Sequence, residues 1–364
     1  MIARECRNRF LLLTASLLLI LTVLEVAVRF SGYQSLAYLH NGRELLLRAS
    51  ANADMVYEMT PGVSVRAWDA QVDINSLGYR GEPVLPESDA PYRVISLGDS
   101  ITFGNFLSVS DTYSYQLQTL LQKSIQGAEV INLGVGGYDT VQEVALFEAR
   151  GAAYHPDLIV LGFCLNDIAI ASFNLEYIER AERYRTSWLF RSRLMQWIND
   201  QIDRLRIAQW SNARNELGHF NAEYRNQKKP LINQDPLLDS LFNAMPSEHP
   251  SAWYASADRV DRLRYAFDRL GKAAEAQNTP VLIVIFPWLV DREGIYPHAL
   301  AHQLVAHEAR RAGFDVLDMT EPFMLQGMAL LQLPNGDAVH PNALGHRLVA
   351  EKIDAYIQAR RSLD

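Results

Sequence analysis

Cysteine is nearly absent from this chain: Cys6 and Cys164 are the only two in 364 residues. No disulfide framework can be built from them, and cysteine usage leaves the redox compartment unread. Charge is sparse as well. Charged residues make up 21% of the chain against 49% hydrophobic, and 34 basic residues face 42 acidic ones, a net charge of −8. That balance describes a packed body, long enough for one large domain plus additions or for two domains, and it lacks the basic footprint of a nucleic-acid partner; the only adjacent lysines are Lys228-Lys229. Nucleotide signatures fail on spacing. From Gly134 a dinucleotide fingerprint would require glycine where Asp139 stands, and no Gly-Lys-Ser/Thr loop occurs. A Gly-x-Ser-x-Gly elbow is missing too, since Ser100 is flanked by Gly98 and Thr102. His298, His302 and His307 share one expected helix without a His-Glu-x-x-His motif, which reads as a solvated face rather than a metal site. His346 reads as a helix-surface residue. No metal or organic cofactor is expected.

What is present begins with Arg93-Val94-Ile95-Ser96-Leu97-Gly98-Asp99-Ser100, an apolar run that ends at a serine. A strand tip before a helix start can present a nucleophile, although Gly, Asp and Ser are also ordinary turn and N-cap residues. Near the other end stands Asp337-Ala338-Val339-His340-Pro341. A serine nucleophile needs a base and a group that orients the base, and this spacing lets one turn bring the carboxylate to the imidazole. Alone, the same residues also fit a capped turn with a core histidine.

Two further elements follow apolar runs: Gly134-Val135-Gly136-Gly137 after Glu129–Leu133, and Cys164-Leu165-Asn166-Asp167 after Asp157–Phe163. A glycine N–H and an asparagine amide are suitable donors for an oxyanion, and both are equally suited to a tight turn and a helix cap.

Together the four elements resemble the SGNH (GDSL-type) hydrolases. Gly98-Asp99-Ser100 matches the first block, Gly137 (beside Gly136) the second, Asn166 the third and Asp337-x-x-His340 the fifth. One departure is Cys164, where a glycine commonly stands two positions before the asparagine. The resemblance implies a Ser100, His340 and Asp337 triad, with Ser100, Gly137 and Asn166 forming the oxyanion hole. It also implies a three-layer α/β/α sandwich with a five-stranded parallel sheet of flavodoxin-like type. The implied activity is hydrolysis of an acyl ester, either a glycan O-acetyl or a lipid ester. Transfer of the acyl group to an envelope glycan, and non-catalytic glycan binding, are the alternatives on the same fold.

Pattern alone supports an α/β body. Strands are expected near 93–98, 129–133, 157–163, 280–286 and 314–318, alternating with helices near 111–125, 139–151, 258–277, 297–312 and 341–359. Ligands of such sheets bind at the carboxyl ends of the strands, where Ser100, Gly137 and Asn166 fall.

At the N-terminus Arg4, Arg7 and Arg9 precede the uncharged run Phe10–Leu24. That core would span about 22 Å as a helix, and continuing to Phe30 makes it long enough for a hydrocarbon layer of roughly 30 Å. Glu25 and Arg29 are spaced to pair on one face. No Ala-x-Ala cleavage site follows, so an uncleaved signal anchor is expected, with its arginines in the cytoplasm and the catalytic body outside (periplasmic in a bacterium).

The expected layout is a basic segment (1–9), a transmembrane anchor (10–30), a juxtamembrane and approach segment (31–90) that includes a helix from about Tyr33 to Ala51, and a hydrolase-like domain (91–364). A helical insertion (168–257) interrupts that domain. Within the approach segment, Asp73–Gly81 reads as a short strand and turn and Arg80 as one half of an ion pair, reach to the active-site rim being the alternative. The insertion holds Trp188, Trp197, Trp210 and Trp253, and residues 178–214 carry eight arginines against four acidic residues. Leu194, Ile198, Ile202 and Leu205 form a helical stripe suited to core packing, a lid or a membrane surface. Following directly on Asn166, the insertion and its tryptophans are expected to shape the acyl or glycan pocket. The partners expected are thus an ester substrate and a membrane.

Overall fold

A computed structural model describes residues 2–33, 46–68, 70–87, 89–169, 187–202 and 236–362. The apolar N-terminal stretch is one helix, Ile2–Phe30, of 29 residues. Its portion Arg4–Phe30, with mean hydropathy 2.5 in its most apolar window, is long and apolar enough to cross a membrane, a property that anchors and signal sequences share. Glu25 and Arg29 pair on it at 2.7 Å.

Two small antiparallel ladders lead into the body. Leu47–Ala49 (β1) pairs with Tyr57–Met59 (β2), and Ser64–Ala67 (β3) with Ala70–Asp73 (β4). The juxtamembrane helix expected from Tyr33 to Ala51 lies mostly outside the described residues, and its described end is strand β1 instead. There Ala49 pairs with the fully buried Tyr57, so ladder formation overrides helical periodicity. After β4, Ile74 bridges to Arg80 around a turn held by Asn75, whose side chain accepts the Leu77 N–H at 2.9 Å. Leu46, Met55, Tyr57, Met59, Val72 and Tyr79 join the same apolar cluster as the main sheet.

The body is a five-stranded parallel sheet built from Arg93–Gly98 (β5), Glu129–Asn132 (β6), Leu158–Cys164 (β7), Val281–Phe286 (β8) and Asp315–Asp318 (β9), in the order β6-β5-β7-β8-β9. β5, β7 and β8 are buried along their whole length, as strands covered on both faces must be. Their side chains alternate between two layers. Ile95, Leu97, Ile159, Leu161, Ile283 and Ile285 pack with the helices Thr140–Ala149, Ala257–Glu275 and Ala299–Arg311. Val94, Leu158, Val160, Leu282, Val284 and Phe286 pack on the opposite side with Tyr113–Ser124 and Ala343–Arg361. This is the three-layer sandwich expected, with its five strands and the five helices expected between and after them each within a few residues of the expected place. The strand order reverses between β5 and β7, and that crevice is where sheets of this type bind ligands.

Several histidines expected on surfaces are buried. His346 is 1% exposed and its Nδ1 accepts the Tyr113 N–H at 3.0 Å. Burial holds its pKa down at about 3, so the ring is neutral. His302 is tied by its two ring nitrogens to Asp318 and to the Tyr296 hydroxyl, and His298 pairs with Ser251 at 2.9 Å. The helix Ala299–Arg311 turns this face to the body rather than to water; His307 on the same helix is half-buried.

In the insertion, residues 188–191 form a 3₁₀ turn, 193–202 are helical, and a helix runs Pro236–Ala244. Trp210 and Leu205 lie outside the described residues. Leu194 is buried, whereas Ile198 and Ile202 face outward at 36% and 44% exposure, so the stripe is not a core stripe. Trp253 packs against His249 and the sandwich core.

Candidate active site

The β5 strand ends in a turn that only glycine tolerates. Gly98 has φ +148°, and a Cβ there would sit 2.1 Å from Thr102 Oγ1 and 2.8 Å from the Gly162 carbonyl oxygen on β7. Asp99 then caps the short helix Ser100–Phe103 by accepting the Ile101 N–H at 2.9 Å. Ser100 stands at the first position of that helix, at the carboxyl end of the sheet.

From the far end of the chain, the loop before Ala343–Arg361 reaches the same point. The His340 Nε2 lies 2.9 Å from the Ser100 Oγ, and Nδ1 lies 2.9 Å from the Asp337 Oδ2. Asp337 Oδ1 accepts the N–H groups of Val339 and His340 at 2.7 and 2.9 Å, which closes the turn and fixes the carboxylate. Burial opposes ionisation of Asp337, but the hydrogen bonds from the His340 ring and from these two N–H groups outweigh it and hold the pKa at about 2. An ionised Asp337 accepts a hydrogen bond, so Nδ1 carries the imidazole hydrogen and Nε2 is left to accept. The loop itself is pinned by the segment that follows β8: Leu289 N–H donates to the Ala338 carbonyl at 2.6 Å, and the Gln332 amide donates to the Leu289 carbonyl at 2.8 Å.

Asn166 follows β7 and Gly137 follows β6, so both are brought to the same end of the sheet as Ser100. The Asn166 Nδ2 donates to the Asp99 Oδ2 at 3.0 Å, and its other contact is a long one of 3.4 Å to Asp167 Oδ1. Among the described residues its buried Oδ1 has no hydrogen-bond partner. Gly137 adopts φ +79° in a turn closed by the Tyr138 N–H on the Val135 carbonyl. Cys164, in place of the usual glycine, is accommodated as the last residue of regular strand β7, paired with Phe286.

Several contributors escaped sequence reasoning. Contrary to expectation, Arg80 forms no ion pair among the described residues: it is 2% exposed, and its guanidinium donates to the carbonyls of Phe103, Gly104 and Leu107, clamping the loop that follows Ser100. Burial lowers its pKa to about 10, which leaves it charged. Phe106, at φ +69°, sets its ring 5.3 Å from the His340 ring. Beneath the site, Glu143 and Asp167 are buried, and burial together with the neighbouring Asp99 raises both carboxyls well above the usual carboxylate range. Asp139 is paired instead with Arg262 at 2.9 Å. No local motif marks these residues; only the fold brings them together.

Chemically, the arrangement is a hydroxyl whose proton has an oriented acceptor, beside a glycine turn and a side-chain amide at the crevice. A model of the GDSL-like lipase/acylhydrolase family matches residues 96–348, more than half of the chain and the part that holds Ser100 and His340. No curated protein matches the chain significantly. Similar solved structures include LAE5, an alpha/beta hydrolase enzyme from the metagenome of Lake Arreo, Spain, at 15% identity over 73% of this chain and 94% of that one, with a TM-score of 0.42. The acetyl xylan esterase AlAXEase is 16% identical over 73% of this chain and 99% of its own, with a TM-score of 0.40. A catalytic mutant of an acetylxylan esterase from Geobacillus stearothermophilus is 14% identical over 73% and 94%, with a TM-score of 0.41. The matched segment begins inside β5, ends in the C-terminal helix and so takes in every strand of the sheet; the chain belongs to the GDSL-like lipase/acylhydrolase family and is an ester hydrolase.

Proposed function

We propose that the chain hydrolyses an acyl ester of an envelope glycan or lipid, outside the cytoplasm, through an acyl-enzyme on Ser100. His340 takes the hydroxyl proton as the Ser100 Oγ bonds to the acyl carbon, and Asp337 holds the imidazole in the accepting tautomer and stabilises its protonated form. The N–H groups of Ser100 and Gly137 and the Asn166 amide stabilise the oxyanion. As the alkoxide leaves it takes the proton from His340. Water, deprotonated by the same ring, then attacks the acyl carbon and releases the carboxylic acid and free Ser100. The observation that carries this reading is the continuous relay Ser100 Oγ, His340 Nε2, His340 Nδ1, Asp337 Oδ2, with both links at 2.9 Å. The apolar helix is assigned as an uncleaved anchor of the hydrolase domain. Arg4, Arg7 and Arg9 before its apolar core favour a cytoplasmic N-terminus, which puts the body on the far side.

The test uses the full chain in detergent with a chromogenic short-chain ester. Turnover is expected, and Ser100→Ala should reduce it by several orders of magnitude. Near-normal turnover by the folded variant would remove Ser100 from the mechanism. Adding a glycan acceptor then separates the two fates of the acyl group: free acid supports hydrolysis, whereas acylated glycan formed at the expense of acid contradicts it.

A further inference from the structure

The helical residues 193–202 are tied to the apolar N-terminal helix by polar contacts. Glu25 accepts the backbone N–H groups of Arg193 and Leu194 at 3.1 and 2.8 Å and the Ser192 hydroxyl at 2.7 Å. Its carboxylate thus satisfies N–H groups that the first turn of a helix leaves without internal partners. One turn beyond the helix end, the Tyr33 hydroxyl donates to Asp200, which is fully buried.

The orientation of this segment is inverted relative to a water-facing helix. Gln196 and Asp200 point inward at 4% and 0% exposure, while Trp188, Trp197 and Ile202 point outward at 75%, 42% and 44%. A helix covered by water presents the opposite distribution. Arg191 lies exposed beside this face, and the Arg29 side chain, on the apolar helix, is 56% exposed.

Depth follows from the docking point. Glu25 stands five residues, about 7.5 Å of helix rise, before the end of the span at Phe30, so the contact lies at the outer edge of a hydrocarbon layer, close to the headgroup region. Tryptophan is enriched at that level, with its ring among the acyl chains and its N–H in the polar layer, and arginine pairs there with lipid phosphates. We propose that residues 188–202 are a second membrane contact: an interfacial helix that lies on a phospholipid surface beside the spanning helix and holds the catalytic sandwich at a fixed height and orientation over the membrane. The inference rests on the reading that Arg4–Phe30 remains in the membrane.

The experiment reconstitutes the full chain in vesicles of phosphatidylcholine and phosphatidylglycerol, with and without phosphatidylcholine brominated on its acyl chains. Tryptophan emission is compared between wild type and a Trp188→Phe/Trp197→Phe variant, which keeps the apolar face and removes its reporters. Both proteins should float with the vesicles, and brominated lipid should quench the wild type. The double variant should lose most of that quenching while hydrolysing a soluble ester at the wild-type rate. Floating protein that is not quenched, or quenching that survives in the double variant, overturns the lipid contact alone. Protein that fails to float overturns the membrane-spanning reading and the proposal with it. Burial of the two tryptophans that rises with protein density in the vesicles, without bromolipid quenching, would assign the face to a second copy of the chain and refute the lipid contact.

Discussion

Replacing Asp337 by asparagine separates orientation of the base from the stability of its loop. Oδ1 of Asp337 accepts two backbone N–H groups, at 2.7 and 2.9 Å, and Oδ2 accepts from the His340 Nδ1 at 2.9 Å. An asparagine must keep its carbonyl oxygen toward the two N–H groups, because its NH₂ cannot accept from them. The NH₂ therefore faces Nδ1 and donates to it, which forces the imidazole hydrogen onto Nε2 and leaves no ring nitrogen to accept the Ser100 proton. Wrong-tautomer variants of serine triads lose about 10⁴ in turnover, equivalent to about 5 kcal/mol in the barrier. The loop contacts survive, so the thermal midpoint of Asp337→Asn should stay close to that of the wild type. Asp337→Ala removes both roles and should also lose about 1 kcal/mol of stability, as deleted caps do. The assay is kcat/KM on a chromogenic ester together with a melting curve for each variant. A folded Asp337→Asn enzyme less than about tenfold slower than wild type would refute the assigned tautomer and the role of Asp337 with it.

Gly98→Ala should cost roughly 2 to 4 kcal/mol. The added methyl meets the Gly162 backbone and Thr102, whose hydroxyl is already held by Leu97 and Tyr113; a denaturation midpoint matching wild type would contradict that strained turn. Glu143→Gln should stabilise the protein most at alkaline pH. The folded carboxyl has a raised pKa while the unfolded one ionises near its ordinary 4.5, so above that value folding takes up a proton, and the wild type becomes relatively less stable as pH rises. The difference in thermal midpoint between Glu143→Gln and wild type should therefore grow as the pH rises above the ordinary carboxylate value and level off only above the raised folded one. A constant or shrinking difference over that range would mean that Glu143 is ionised in the fold.

The sheet and the pairing of Asp337 with His340 were legible in the sequence because each depends on local pattern. β7 and β8 are uninterrupted apolar runs, β5 is apolar apart from Arg93 and Ser96, and Asp337 and His340 are bound within a single turn. Residues that act across the fold were not legible. Arg80 reaches carbonyls more than twenty positions away, and nothing in Tyr79-Arg80-Gly81 distinguishes such a clamp from an ion pair. His302 and His346 read as surface residues because their helices contain charge, yet His302 lies against Tyr296 and Asp318 and His346 against Tyr113. The stripe Leu194, Ile198, Ile202 showed helical spacing, but spacing alone does not reveal whether the apolar side faces a core or the outside. The inward polar ties to Glu25 and Tyr33 decide that question.

The most direct test of the central claim is the site of covalent labelling by a fluorophosphonate, which reacts with a serine only when an adjacent base activates it. Peptide mass spectrometry of the labelled full chain should place the adduct on Ser100, and His340→Ala should abolish labelling without unfolding the protein. An adduct on any other residue, or undiminished labelling of Ser100 in the His340→Ala variant, would contradict the account.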